Sequence, residues 1–370
     1  MFDPLRRSVP WLAAVLLFST QPLAAQTDRL ALSGLDPVAL CRGQEVPGRE
    51  DLTANWFRYV YRFADGDSLA AFRADPERWC IQFGGGCGRM GPLSGRGDPD
   101  RWWVYEGRIY IFASEQCRKA FQQAPERFVP QPLPKAPADA DAARKGRDAI
   151  TRAAAALGSG ETLAAFASVR FERSWTTADR DGDRNDAVQD TVALPDRVRR
   201  DQRWGDYVFA SVAAPHGDDA GFFVGDDGIV FAMHPAGAAE LRAEALRHPI
   251  VLLQRRDDPG FSAVAIGTDT VQGRAVDLVR VRCGAVDTTL AIARDDGAVL
   301  QQRLRARTPR LAFGDLVETY GDVRAVAGLR VPFRVEQSFD GGEPVAFTWD
   351  AIEPGGKVDD ALFTAPHGGR

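Results

Sequence analysis

Four of the five cysteines, Cys41, Cys80, Cys87 and Cys117, crowd into the first third of a 370-residue chain, and Met90 stands three residues after Cys87. Thiolates and thioethers are soft donors suited to copper or zinc. The same thiols would also make two disulfides, for which three connectivities exist. Cys41–Cys117 with Cys80–Cys87 is the expected pairing, and buried free thiols are the third alternative. Cys283 ends an alternating strand on the parity of Val279 and Val281, which places it inside as a small hydrophobe.

The elements that must position these sulfurs come from a repeat. Tyr61–Trp79 (YRFADGDSLAAFRADPERW) returns 49 positions later as Tyr110–Phe128 (YIFASEQCRKAFQQAPERF) without a gap. Each copy predicts an aromatic-rich strand and then a short helix, with Leu69 and Phe72, or Cys117 and Phe121, facing the strand. Pro76 and Pro125 push the preceding residue out of helical geometry and end each helix. Between the copies, Gly84–Gly97 (GGGCGRMGPLSGRG) is dense enough in glycine to permit positive φ and close backbone approach. It lacks the Gly-Lys-Ser/Thr ending of a phosphate-binding loop.

Net charge is −5 and the pI about 5.6, so no basic field points to nucleic acid. Arg6-Arg7, the apolar run Trp11–Phe18 and Leu23-Ala24-Ala25 read as a Sec-type signal peptide over 1–25. A periplasmic or secreted protein follows, with no transmembrane segment after cleavage. Pro130–Ala143 carries four prolines and no aromatic and reads as a linker. It separates a front domain (28–129) from a back domain (144–366). In the back domain a helix over Ala142–Leu157 precedes strands with period-two alternation, among them Val276–Cys283, Thr288–Ala293 and Val331–Phe339. A further helix spans Ala236–Leu246. The fold class is α+β.

Other candidate chemistry is sparse. His216, His234, His248 and His367 show no metal-ligand spacing, and His234 and His248 each precede a proline at an element boundary. Asp179–Asp186 (DRDGDRND) has glycine at the fourth position where a calcium loop needs it at the sixth, and reads as a solvated hairpin tip. No nucleophile–base pair is visible, so a non-enzymatic protein is expected. Val279, Val281, Leu290, Ile292, Val331, Phe333 and Val335 fall on one face of the alternating strands. They line either an apolar ligand cavity or a closed core.

Two resemblances add to this reading. Ser33-Gly34-Leu35-Asp36-Pro37-Val38-Ala39, Tyr61–Trp79, Gln82-Phe83-Gly84-Gly85-Gly86-Cys87 and Trp103–Tyr110 resemble the YHS family, with Phe112–Cys117 and Phe121 similar to its compact form. The likeness implies a module that binds transition metals through cysteines. The chain departs from the pattern in having no histidine before His216 and Ala113 where a paired cysteine often stands. Asp190–Asp201, Gly273–Val279, Tyr320–Arg324, Gly328–Pro332 and Val358–Phe363 resemble the outer-membrane lipoprotein-sorting (LolA-like) superfamily. That likeness implies an antiparallel half-barrel that binds an acyl chain or lipoprotein. Together they imply an exported binding protein with a cysteine module, metal-binding or redox-sensitive, joined to an apolar-ligand module. The alternative is a structural or interaction protein whose front cysteines only form disulfides.

Overall fold

Alternation and capping build the front module twice. In the computed structural model, which describes residues 29–366 apart from 94, 132–138, 180–181, 215–219 and 309–310, a short strand β1 (Arg29–Leu30) and helix α1 (Pro37–Cys41) come first. The first copy is β2 (Arg49–Trp56), β3 (Tyr59–Phe63), α2 (Gly66–Ala74) and α3 (Pro76–Trp79). The second is β4 (Asp98–Tyr105), β5 (Arg108–Phe112), α4 (Glu115–Gln123) and a 3-10 turn over Pro125–Arg127. Both strands and the main helix of each copy begin and end at the same offset, so the duplication reaches a dozen residues upstream of the sequence match. Asp65 caps α2 and Ser114 caps α4 by accepting the amides of Ser68 and Cys117. The aromatic cores also correspond. Phe72 packs on Tyr61 and Phe63 at 4.9 and 5.1 Å, and Phe121 on Tyr110 and Phe112 at 5.0 and 5.2 Å.

The expected signal peptide, His216, His367 and half of the linker (132–138) lie outside the described residues. Past the linker, α5 (Ala140–Leu157) and α6 (Gly160–Ala165) lead into two antiparallel sheets of seven strands each. The first sheet holds β6 (Ser168–Asp179), β7 (Gly182–Ala193), β8 (Arg197–Trp204), β9 (Tyr207–Ala213), β10 (Phe222–Val224) and β11 (Val230–Ala232). Next come α7 (Pro235–Ala245) and α8 (Pro249–Gln254). The second sheet runs in chain order through β12 (Ser262–Val271), β13 (Arg274–Cys283), β14 (Val286–Ala293), β15 (Val299–Arg307), β16 (Phe313–Val326), β17 (Leu329–Phe339) and β18 (Val345–Thr348). The final strand β19 (Ala351–Gly355) crosses back to pair with β6. The antiparallel half-barrel expected in the back domain is thus built of two sheets. No helix among the described residues is long and apolar enough to cross a membrane.

The main core lies where the helices meet both sheets. Ala149, Ile150, Ala153, Ala154 and Leu157 form one face of α5, spaced by helical turns, and Gly146 lets that helix touch the backbone of Ala263. Ile250, Val251, Leu252 and Leu253 bury α8 on all sides. Pro235 and Pro249 occupy the first helical position of α7 and α8, where a missing N–H costs nothing.

The two modules pack on each other through the glycine loop. A Cβ at Gly84 would stand 2.6 Å from that of His234, and one at Gly91 would stand 2.5 Å from the Arg307 guanidinium carbon. Gly84 and Gly91 also hold φ of +59° and +90°, which a side chain rarely adopts.

Candidate functional site

The front cysteines do not converge. All five cysteines are free thiols. Cys41 and Cys80 belong to the hydrophobic cluster of the first copy, and Cys87, Cys117 and Met90 to that of the second. The structure forms neither the Cys41–Cys117 nor the Cys80–Cys87 bridge, and it divides the five expected sulfur donors between two clusters. Tyr61 and Phe72 fill one cluster and Phe112 and Phe121 the other, and each keeps its own sulfurs. Burial pushes the Cys41 thiol up to about 12 and raises Cys80 further. Cys117 differs. Burial acts to raise it, but hydrogen bonds with Ser114, Arg89 and Cys87 bring it below the ordinary thiol value. Its neighbour Cys87 is raised, mainly by burial.

One mixed cluster spans the module junction. Glu77, Cys80 and His234 bring their ligand atoms within 4.8 Å of one another. His234 is buried, its ring 4.8 Å from that of Phe57, and its Nε2 lies 3.0 Å from Glu77 Oε2. The donor set suits zinc, but the histidine does not. His234 caps α7, and its Nδ1 accepts the Ala236 amide at 3.1 Å. A neutral ring engaged that way carries its proton on Nε2, so the atom facing Glu77 and Cys80 offers a hydrogen rather than a lone pair. Although Nε2 lies 3.0 Å from Glu77, it makes no hydrogen bond with it, so the trio is a packing contact at the module junction. Phe57 supports it at a φ of +53°, an uncommon conformation for a bulky residue.

The second concentration of polar side chains is inside the back domain. A cavity of about 240 Å³ opens between the two sheets beneath the end of α7. Five strands contribute residues two apart (Phe171, Arg173 and Trp175; Val188 and Asp190; Arg200 and Gln202; Glu318 and Tyr320; Val335 and Gln337), and β18 adds Phe347, with Trp349 just past its end. The period of two puts each set on one sheet face. Glu244, Arg247 and His248 close the wall from the helices.

Charge is closely managed there. Arg200 holds Asp190 through two contacts of 2.7 and 2.9 Å and also pairs with Glu244. Burial would lower its pKa, but the two carboxylates raise it instead. Arg247 donates to Glu318 at 2.9 Å, and Gln337 and Tyr320 donate to the same carboxylate at 2.8 and 3.1 Å. Burial works to raise Glu318, but Arg247 and these donors hold it below the usual value. Arg173 has no carboxylate partner among the described residues. Its guanidinium lies 4.3 Å from the Phe347 ring centre and 4.6 Å from that of Trp175.

His248 repeats the capping chemistry of His234, its Nδ1 accepting the Ile250 amide at 3.3 Å. Burial pushes its pKa down to about 4, so the ring is neutral at physiological pH. Among the described residues its Nε2–H finds no acceptor, and neither do the Arg173 Nε and Trp349 Nε1 hydrogens.

Of the seven expected lining residues, Val279, Val281, Leu290, Ile292, Val331 and Phe333 pack into the main core, and Val335 lines the cavity. Cys283 joins that core. The acidic stretch at the β6–β7 hairpin turns Asp186 inward, where Arg184, Thr177 and the Gly205 amide hold it. Arg173, Trp349 and the charged network were not singled out from sequence. The His-Pro pairs mark helix caps, and that position is the sequence signal for His248 as an Nε2–H donor.

No family model matches the sequence, and no curated protein matches it. Neither resemblance thus gains a family assignment. Among solved structures, the chain is similar to a DUF1329 family protein from Desulfovibrio piger, at 8% identity and a TM-score of 0.39, over 60% of this chain and 97% of that one. A putative outer membrane lipoprotein-sorting protein domain from Vibrio parahaemolyticus gives 9% identity and a TM-score of 0.38, over 60% and 97%. A LolA superfamily protein from Nitrosomonas europaea gives 9% and 0.34, over 59% and 97%.

Proposed function

We propose that this chain is a non-enzymatic, exported binding protein whose back domain holds a compact ligand between its two sheets. The front module braces that domain through the glycine loop and the packing of Gly84 and Phe57 against His234. The cavity carries the reading: buried N–H groups of Arg173, His248 and Trp349 line it without acceptors, and such groups are costly to leave unmet. At about 240 Å³ it falls below the ~300–1,000 Å³ of common small-molecule sites, and charged groups line much of it. Those features favour a compact ligand over the long acyl chain or lipoprotein expected from the resemblance. A thermal-shift screen of small anionic, cationic and neutral compounds tests the reading. Binders should raise the melting temperature of the wild type and leave Val335→Trp, which fills the cavity, unmoved. If no compound separates the two proteins, the reading fails.

A second reading concerns Cys87, Cys117 and Met90, which share one cluster. The acidified Cys117 thiol favours a reactive or copper-binding pair over an inert one. Cys117 should then alkylate with iodoacetamide before Cys41 and Cys80, and a Cu(I) titration should lose its first equivalent in Cys117→Ser. Equal alkylation of all three thiols would remove this reading.

A further inference from the structure

We infer that the cavity ligand is a compact carboxylate on an aromatic or short apolar body, its oxygens received by Arg173, His248 and Trp349. This rests on the proposal that the cavity binds a ligand at all, and adds its chemical class.

Each acidic side chain lining the cavity is engaged: Asp190 and Glu244 by Arg200, Glu318 by Arg247, Gln337 and Tyr320. Three donors remain unmatched, and all are N–H groups. His248 cannot turn acceptor, because its Nδ1 lone pair is spent on the Ile250 amide and its neutral ring keeps a proton on Nε2. Indole and guanidinium nitrogens accept nothing. A bound group must therefore supply acceptor oxygens, and a carboxylate supplies two with about four lone pairs.

The sign of the charge follows from Arg173. Two carboxylates act on it electrostatically, Asp190 and Asp350, yet the first is held by Arg200 and the second by Ser174 at 2.7 Å. Its cation rests instead on the faces of Phe347 and Trp175. A guanidinium so placed keeps its N–H edges for a planar anion.

The apolar body follows from the rings. Phe347 contacts Trp349 at 5.4 Å, Trp349 contacts Phe171 at 5.4 Å, and Phe171 contacts His248 at 4.8 Å. This arc connects the three donors, so a flat or short apolar group would lie against it while its carboxylate meets them. Ordered water could satisfy the same hydrogens, and the experiment separates the two cases.

2-Naphthoate and its neutral analogue 2-naphthamide are titrated calorimetrically into the full chain. The carboxylate should bind about tenfold or more tighter than the amide. Arg173→Gln should erase that preference while leaving amide affinity within about threefold, and Arg173→Lys should restore part of it. Val335→Trp should abolish binding of both compounds. Equal affinity in the wild type, or a preference that survives Arg173→Gln, overturns the carboxylate inference alone. Binding that survives Val335→Trp places the site elsewhere and overturns it too. Should neither compound bind, the inference fails, and the thermal-shift screen decides separately whether the cavity binds anything. Denaturant unfolding of each variant confirms that it is folded.

Discussion

Two helices in this chain begin with His-Pro, and their histidines meet opposite surroundings. At the module junction, Phe57 covers His234, Gly84 lies against its Cβ, and Glu77 stands beside its Nε2. In the cavity wall, Phe171 and Tyr320 flank His248, but nothing accepts its Nε2 hydrogen. The local device is identical: the ring caps a helix through Nδ1, which fixes the tautomer and presents a donor. What that donor does depends on residues distant in sequence. At one end it is packed beside Glu77 at the module junction without forming a hydrogen bond, and at the other it faces a cavity with no acceptor among the described residues.

The comparison breaks most easily at the junction. Gly84→Val sets a side chain against His234 in a left-handed backbone, and should cost about 2–4 kcal/mol in denaturant unfolding. Gly66→Ala, where no atom lies within 4 Å of the added carbon, should be neutral or slightly stabilising. If the two substitutions cost alike, the glycine loop is not the fitted surface described above.

A second effect separates the histidines by pH. The folded pKa of His248 is depressed from 6.5 to about 4, with Glu318, Arg247 and Tyr320 close to it. A depressed value means the unfolded chain binds the proton first as pH falls. The associated stability is therefore complete above about 6.5 and lost on descending to about 4. Its size is about 3 kcal/mol. His248→Asn keeps a capping oxygen but cannot titrate, so its stability should fall less steeply between those pH values than that of the wild type. Parallel slopes would mean that His248 is not buried in the neutral form.

The smallest effect should come from Glu77, the acid beside His234. Glu77 is half exposed, and pairs of that kind contribute about 0–1 kcal/mol. Glu77→Gln should shift the unfolding free energy by less than about 1 kcal/mol. A larger loss would show that Glu77 does more than sit beside His234.

Much of the framework was legible because it follows short-range rules. Alternation at Val276–Cys283 and Val331–Phe339 lies within β13 and β17, and the helix expected over Ala142–Leu157 runs from Ala140. The repeat could be read from its aromatics, since Tyr61, Phe63 and Phe72 pack as their counterparts do. The partition of the sulfurs was not legible, because it depends on which cluster each loop enters. The cavity was hidden for a different reason. Alternation marks the face of a strand but assigns polar residues outward, so Arg173, Asp190, Arg200 and Glu318 read as solvent-facing. Their apolar neighbours of the same parity, Phe171, Val188 and Val335, share the cavity wall with them.

Helix α7 carries a mechanical implication. It starts beside His234 in the grip of Phe57 and Gly84, and eleven residues later it ends with Glu244 and Ala245 in the cavity wall. A helix of that length is a stiff rod of about 16 Å. Tilting one end displaces the other, so the seating of the front module and the spacing of Glu244 from Arg200 are geared together through a single lever.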